Sequence, residues 1–166
     1  ISVNVSRTYL QKEDVAGYIK NVIDKYQIPM ELFQLEITET TENAESLSYI
    51  NSLKQAGFTL LMDDFGSGYS SLCMLKNTPF DVLKMDRQFL DECLDSKQGE
   101  TIISHVISMS NDLGLSIIAE GVENRGTADF LYDNGCSVSQ GFYFSKPVPI
   151  PEFEHMLDEQ QTEQQR

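Results

Sequence analysis

Apolar residues recur along this chain in two alternating rhythms. Short, nearly continuous apolar runs of strand length alternate with longer segments whose apolar positions fall three and four residues apart. Residues 1–5 read as a first strand. Helical spacing follows over 13–26, where Val15, Tyr18, Ile19, Val22 and Ile23 share a face. Residues 33–38 read as a second strand; Leu47, Ile50 and Leu53 mark the next helix, with Gly57 placed to stop it. A third strand at 58–62 precedes a short helix around 72–76. Pro79 breaks the chain before a fourth strand at 81–85, and helical stretches at 87–94 and 101–113 lead to a fifth strand at 115–119. A helix holding Phe130 and Leu131, a sixth strand at 138–144 and a last helix near 153–157 complete the series. The glutamine-rich tail, 158–166, is expected to be solvated or disordered.

Strands that are apolar almost throughout suit a parallel sheet covered on both faces. Repeated βα units with no Pro/Gly/Ser-rich linker between them suit one domain. Two architectures fit this α/β pattern: an open doubly wound sheet, or part of a TIM-type (β/α) barrel. The polar residues favour the barrel. Asn4 lies in the first strand, Glu36 and Glu39 in or just after the second, and Asp63 and Asp64 end the third. Lys84 and Asp86 end the fourth, Glu120 and Glu123 follow the fifth, and Gln140 lies in the sixth. Barrel enzymes collect their active sites at such C-terminal strand ends, one residue from each of several strands. An open sheet concentrates its ligand groups at one switch point instead.

Charge narrows the partners. The chain has 166 residues, a formal net charge of −14 and a sequence pI near 4.3. That is the wrong sign for gripping a DNA or RNA duplex, but it allows a phosphate-bearing small molecule whose charge is met by bound metal. Cys73, Cys93 and Cys136 lack CxxC spacing and read as reduced core fillers in a cytosolic compartment. No apolar run is long enough to cross a bilayer.

Asp63 and Asp64 end a buried run side by side, and paired carboxylates that resist desolvation point to a cation. The same dipeptide also reads as a helix cap. Asn4, Glu36, Asp63, Asp64 and Glu120 offer only hard oxygen donors, which suits Mg2+ or Mn2+ better than zinc. Plain structural readings stand beside these. Glu39 suits a helix entry, Glu123 a first-turn acid, and Lys84 an ion pair with Asp86 two residues along the same strand face. Ser70 and Ser71 read as turn or helix-start residues, and His105 and His155 as helix-surface residues.

These residues resemble, in order and over essentially the whole chain, the EAL-domain phosphodiesterases that hydrolyse cyclic di-GMP. Asn4-Val5-Ser6 is similar to the family's Asn-x-Ser strand, Glu36-Ile37-Thr38-Glu39 to its Glu-x-Thr-Glu element, and residues 63–72 (DDFGSGYSSL) to its signature loop. Lys84-Met85-Asp86, Ala119-Glu120-Gly121-Val122-Glu123 and the segment from Gln140 to Pro147 complete the series. The resemblance implies that Asn4, Glu36, Asp63, Asp64 and Glu120 hold two divalent ions, Mg2+ or Mn2+, with Asp63 shared between them. It implies a catalytic set of Lys84, Glu39 and Asp64, with Lys84 near the attacking water and Glu39 organising the loop that starts at Asp64. Gln140 is implied to contact that water or the substrate, cyclic di-GMP, which opens to linear pGpG. The loop from Asp64 to Leu72 is implied to join a homodimer, and an upstream sensor or GGDEF domain is compatible with the family. The domain is expected in the cytoplasm, even if a longer parent protein is membrane-tethered.

One departure qualifies the match. The Glu-Ala-Leu tripeptide that names the family, with its metal-binding glutamate and the arginine that follows, is absent. Residues 1–157 are therefore expected to be the C-terminal part of an EAL domain: a truncated barrel of six βα units, about 80 residues and two strands short of eight. Open strand edges, weak metal binding and little hydrolysis by the chain alone are expected. A catalytically inactive cyclic di-GMP receptor or protein-interaction module is the alternative within the same family.

Overall fold

In the computed structural model, which describes residues 1–6, 14–38, 44–66 and 71–164, the apolar runs become six parallel strands. The elements are β1 (Ser2–Asn4), α1 (Val15–Lys25), β2 (Gln34–Thr38), α2 (Ala44–Gln55), β3 (Thr59–Phe65), α3 (Ser71–Asn77) and β4 (Val82–Met85). They continue as α4 (Arg87–Leu94), α5 (Lys97–Asp112), β5 (Ser116–Ala119), α6 (Arg125–Asp133), β6 (Val138–Ser139) and α7 (Ile150–Gln164). The strands lie side by side in chain order from β1 to β6. An unbroken progression of parallel strands is the winding of a (β/α) barrel, whereas a doubly wound sheet reverses direction at its switch point. Six units are present of the eight that close such a barrel, so this is a truncated TIM-type barrel with β1 and β6 at its edges.

Strand alternation sorts the residues between two faces. Leu35 and Ile37 of β2, Leu60 and Met62 of β3, and Leu83 and Met85 of β4 are fully buried and join one apolar cluster with Ile50 and Leu53 of α2 and Ile103 and Ile107 of α5. That is the helix-covered face. The intervening residues, Glu36, Leu61, Asp63, Val82 and Lys84, belong to the other face; registers Asn4↔Glu36, Thr38↔Asp63 and Lys84↔Ile118 align it across the sheet. Helix starts are fixed by local chemistry: the side chains of Asp14, Asp86, Ser96 and Asn124 each accept a backbone N–H in the first turn of the helix that follows.

Several expected boundaries change. α5 begins at Lys97 rather than 101, because Ser96 caps it through Gly99 N at 3.1 Å. β3 runs on to Phe65 and so contains both aspartates. β6 stops at Ser139 instead of reaching 144. Gly141 lies so close to the chain after β5 that a Cβ there would meet the Val122 carbonyl oxygen at 2.2 Å. Tyr143 N then donates to that oxygen and Phe144 N to Gly141, which turns the aromatic run out of the ladder. The last helix continues to Gln164, so residues 158–164 are helical where a disordered tail is expected; Asp158, Glu159 and Gln160 are solvent-exposed. Cys136 is buried and Cys93 half-buried, but Cys73 is exposed and fills no core position. Among the described residues, no helix is long and apolar enough to cross a membrane.

Candidate active site

The C-terminal ends of β2, β3, β4 and β5 deliver one charged group each to a single point. Lys84 of β4 is 5 % exposed. Its Nζ donates to Glu36 Oε1 at 2.7 Å and to Asp63 Oδ1 at 2.9 Å, and lies 2.6 Å from Glu120 Oε1. The ammonium has three protons, and three carboxylates take them. One positive charge leaves the cluster strongly negative, with the hard-oxygen character that divalent cations favour. Among the described residues, no three His, Cys, Asp or Glu side chains stand ready to hold a metal ion as they are placed. The carboxylates close on Lys84 instead.

Burial acts on each of these groups. For Lys84 it favours the neutral amine, but hydrogen bonds to Glu120, Glu36 and Asp63 outweigh it and hold the group protonated, above the usual lysine range. Burial also pushes Glu36 upward, yet hydrogen bonds from Lys84 and Ser2 prevail and its carboxyl ends below its ordinary value. Glu120 ends above the usual range: burial comes first, the negative charges of Asp63 and Glu36 add to it, and Lys84 only partly opposes them. Asp64 is also raised, by burial and then by the charges of Asp63 and Asp86.

Glu36 therefore makes a testable contribution. Its folded-state pKa lies below the unfolded value near 4.5, so its stabilisation is present above that pH and is lost as pH falls through the folded value. In the metal-free chain, Glu36→Gln is expected to flatten the acid side of the stability–pH curve, measured as urea midpoints across that range. An unchanged acid slope would show that Glu36 is not held ionised by Lys84.

The rest of the site is arranged around Glu120. Gln140 Nε2 donates to Glu120 Oε1 at 2.7 Å, and Gln140 itself is anchored by its backbone N–H to the Ala119 carbonyl. The turn after Glu120 passes tightly under Arg87. Gly121 has φ +67°, and a Cβ there would lie 2.4 Å from Arg87 Cγ, so glycine is required on both counts. Arg87 Nη1 then reaches Glu123 Oε1 at 2.7 Å, which makes Glu123 an ion-pair partner outside α6. Beside this turn opens a cleft of about 630 Å³, lined by Arg87, Glu120, Gln140, Phe142, Lys146 and Phe153 among others. Lys146 Nζ stands 5.7 Å from the Phe142 ring centroid.

The remaining expected residues are dispersed. Asp63 is buried against Lys84, whereas Asp64 has left-handed backbone at φ 59° within the β3 irregularity between Met62 and Phe65, and is partly exposed. Asn4 pairs in register with Glu36 but sits exposed on the edge strand. Asp86 is not the partner of Lys84. Its carboxylate caps α4, accepting from Gln88 N at 2.8 Å and Phe89 N at 3.4 Å, because β4 has already ended at Met85. Glu39 and Ser67 to Ser70 of the signature loop lie outside the described residues. Arg87, which the residue pattern marks only as a helix start, joins the cleft; its place just past the C-terminal end of β4 is the signal that finds it.

Comparison with known proteins identifies the family. A model of the EAL domain matches residues 1–147. The signaling protein YkoW of Bacillus subtilis is 38% identical over 98% of this chain and 21% of its own length. The cyclic di-GMP phosphodiesterase RocR of Pseudomonas aeruginosa is 35% identical over 95% of this chain and 40% of its own length. Among solved structures, Klebsiella pneumoniae BlrP1 in a manganese/cyclic-di-GMP complex superposes with a TM-score of 0.82 at 28% identity, over 89% of this chain and 38% of that one. The chain thus spans between a fifth and two fifths of these relatives. The match over residues 1–147, the winding of the sheet and the carboxylates gathered at its C-terminal ends together show that this chain belongs to the EAL domain family.

Proposed function

We propose that this chain supplies most of the active site of a metal-dependent cyclic di-GMP phosphodiesterase, which opens one phosphodiester of the cyclic dinucleotide to give linear pGpG. The observation that carries the reading is the meeting of Glu36, Asp63, Lys84 and Glu120 from four consecutive βα units. The names of RocR as a cyclic di-GMP phosphodiesterase and of BlrP1 as a manganese/cyclic-di-GMP complex support it. Asn4, Glu36, Asp63, Asp64 and Glu120 would hold two Mg2+ or Mn2+ ions, and the excess negative charge around Lys84 fits that demand. Bound there, the ions would supply the positive charge that stabilises the attacking and leaving oxygens.

The protein's own residues do the rest. Lys84, held protonated, would orient the water with a proton released when a metal draws a carboxylate from it, rather than take the water's proton. Gln140 fixes Glu120 through its amide N–H and keeps its carbonyl oxygen free to accept from water or substrate. Arg87, paired to Glu123, and Lys146 bring cationic groups to the cleft, which suits a phosphate-bearing ligand. Glu39 would organise the loop from Asp64 to Leu72, a homodimer contact, and the domain would work in the cytoplasm beside a linked sensor or GGDEF domain.

The test is calorimetric binding of cyclic di-GMP to the purified chain with and without Mn2+, with pGpG followed by chromatography. Binding is expected to require the metal and product to form slowly. Asp63→Asn is expected to lower both by more than about 100-fold, beyond the cost of changes outside the ligand shell. Metal-independent binding without product would replace this reading with that of a receptor, and no binding at all would end both.

A further inference from the structure

We propose that Lys84 is an internal counter-ion that competes with divalent cations for the site, so that metal binding is an exchange against its ammonium rather than an addition. This rests on the metal-dependent reading above. The oxygens of Glu36, Asp63 and Glu120 lie 2.7, 2.9 and 2.6 Å from Nζ, so the ammonium stands at the point where the three carboxylates converge. A Mg2+ ion held by the same oxygens needs contacts of about 2.0–2.1 Å, and it cannot share that point with a cation.

The ammonium has no easy retreat. Its backbone lies in the β4 ladder between Leu83 and Met85, each 0 % exposed, and the side chain is 6 % exposed. A metal must therefore take carboxylate oxygens from Lys84 while still facing its charge at short range, where buried charges are weakly screened. Without metal, the same contacts keep the buried carboxylates of Glu36 and Asp63 and the half-buried one of Glu120 from facing one another uncompensated. Lys84 thus shapes the cage for a divalent ion and lowers the affinity for it. The Glu120–Gln140 hydrogen bond, like that from Ser2 to Glu36, leaves Nζ uninvolved and so need not break when a carboxylate leaves the ammonium.

The experiment measures Mn2+ affinity by calorimetry for the unmodified chain and for Lys84→Gln, which keeps a hydrogen-bond donor without the charge. Lys84→Gln is expected to bind at least ten times more tightly. Equal or weaker binding overturns the counter-ion proposal while the metal reading stands. Absence of binding in both proteins overturns the metal reading and the proposal with it. Should Lys84→Gln fail to fold, the unmodified chain still decides. The 15N–1H ammonium resonance of Lys84 is expected to shift or broaden as Mg2+ saturates the site. A resonance unchanged at saturation overturns the exchange.

Discussion

Lys84→Met is expected to lower the unfolding free energy of the metal-free chain by about 3–5 kcal/mol, the cost of removing one partner from a buried charge cluster. Methionine matches the reach of the lysine stem and adds apolar contact, so packing alone predicts a small change. Electrostatics decides the sign. Glu36 and Asp63, whose side chains are 7 % and 10 % exposed, lose the cation they share, and Glu120 loses its closest one. Against a total stability of about 5–15 kcal/mol, typical of a domain, the change is large. Urea denaturation without metal reads it directly. Adding Glu36→Gln to Lys84→Met should recover part of the loss, since one of the stranded carboxylates is then neutral. If the two substitutions add independently, the carboxylates do not act as one cluster around Lys84.

The distinction between what residue pattern reveals and what it hides falls along a physical line. Leu35-Glu36-Ile37 and Leu83-Lys84-Met85 place a charged residue between two apolar ones, and period-two alternation then assigns both charges to one face. Their gathering with Asp63 and Glu120 is legible from the polar residue at each strand's C-terminal end, but the closing of the carboxylates on Lys84 depends on how neighbouring strands register, which no single strand encodes. The end of β6 was hidden for a similar reason. Phe142-Tyr143-Phe144 has strand-like composition, but the approach of Gly141 to Val122, across the edge of the sheet, decides where pairing stops. Asp86 shows local chemistry overriding pattern: two residues after Lys84 it shares a nominal strand face, yet a carboxylate at the first turn of a helix is better used as a cap. The last helix outruns its expected end because Glu and Gln are good helix formers even where apolar periodicity has faded.

Phe58→Ala is expected to cost about 3–5 kcal/mol of stability, the range for emptying a phenylalanine site in a core. The ring is 1 % exposed and meets Phe33 edge-on with centroids 6.4 Å apart. Gly57, at φ +94°, ends the turn after α2 and delivers Phe58 to the start of β3, where its N–H donates to the Leu53 carbonyl at 3.2 Å. Little can collapse into the space, because β2 and β4 hold β3 by backbone pairing on both sides. The carboxylate cage lies at the other end of that strand: Asp63 is five residues from Phe58, roughly 16 Å along an extended chain. Phe58→Ala should therefore lower the urea midpoint while leaving Mn2+ affinity, measured well below that midpoint, within about twofold of the unmodified chain. Lys84→Met should move both quantities. A Phe58→Ala chain that lost metal affinity along with stability would show that the cage is positioned by packing along the whole length of β3, and that the ends of β2, β3, β4 and β5 do not hold it by their own contacts.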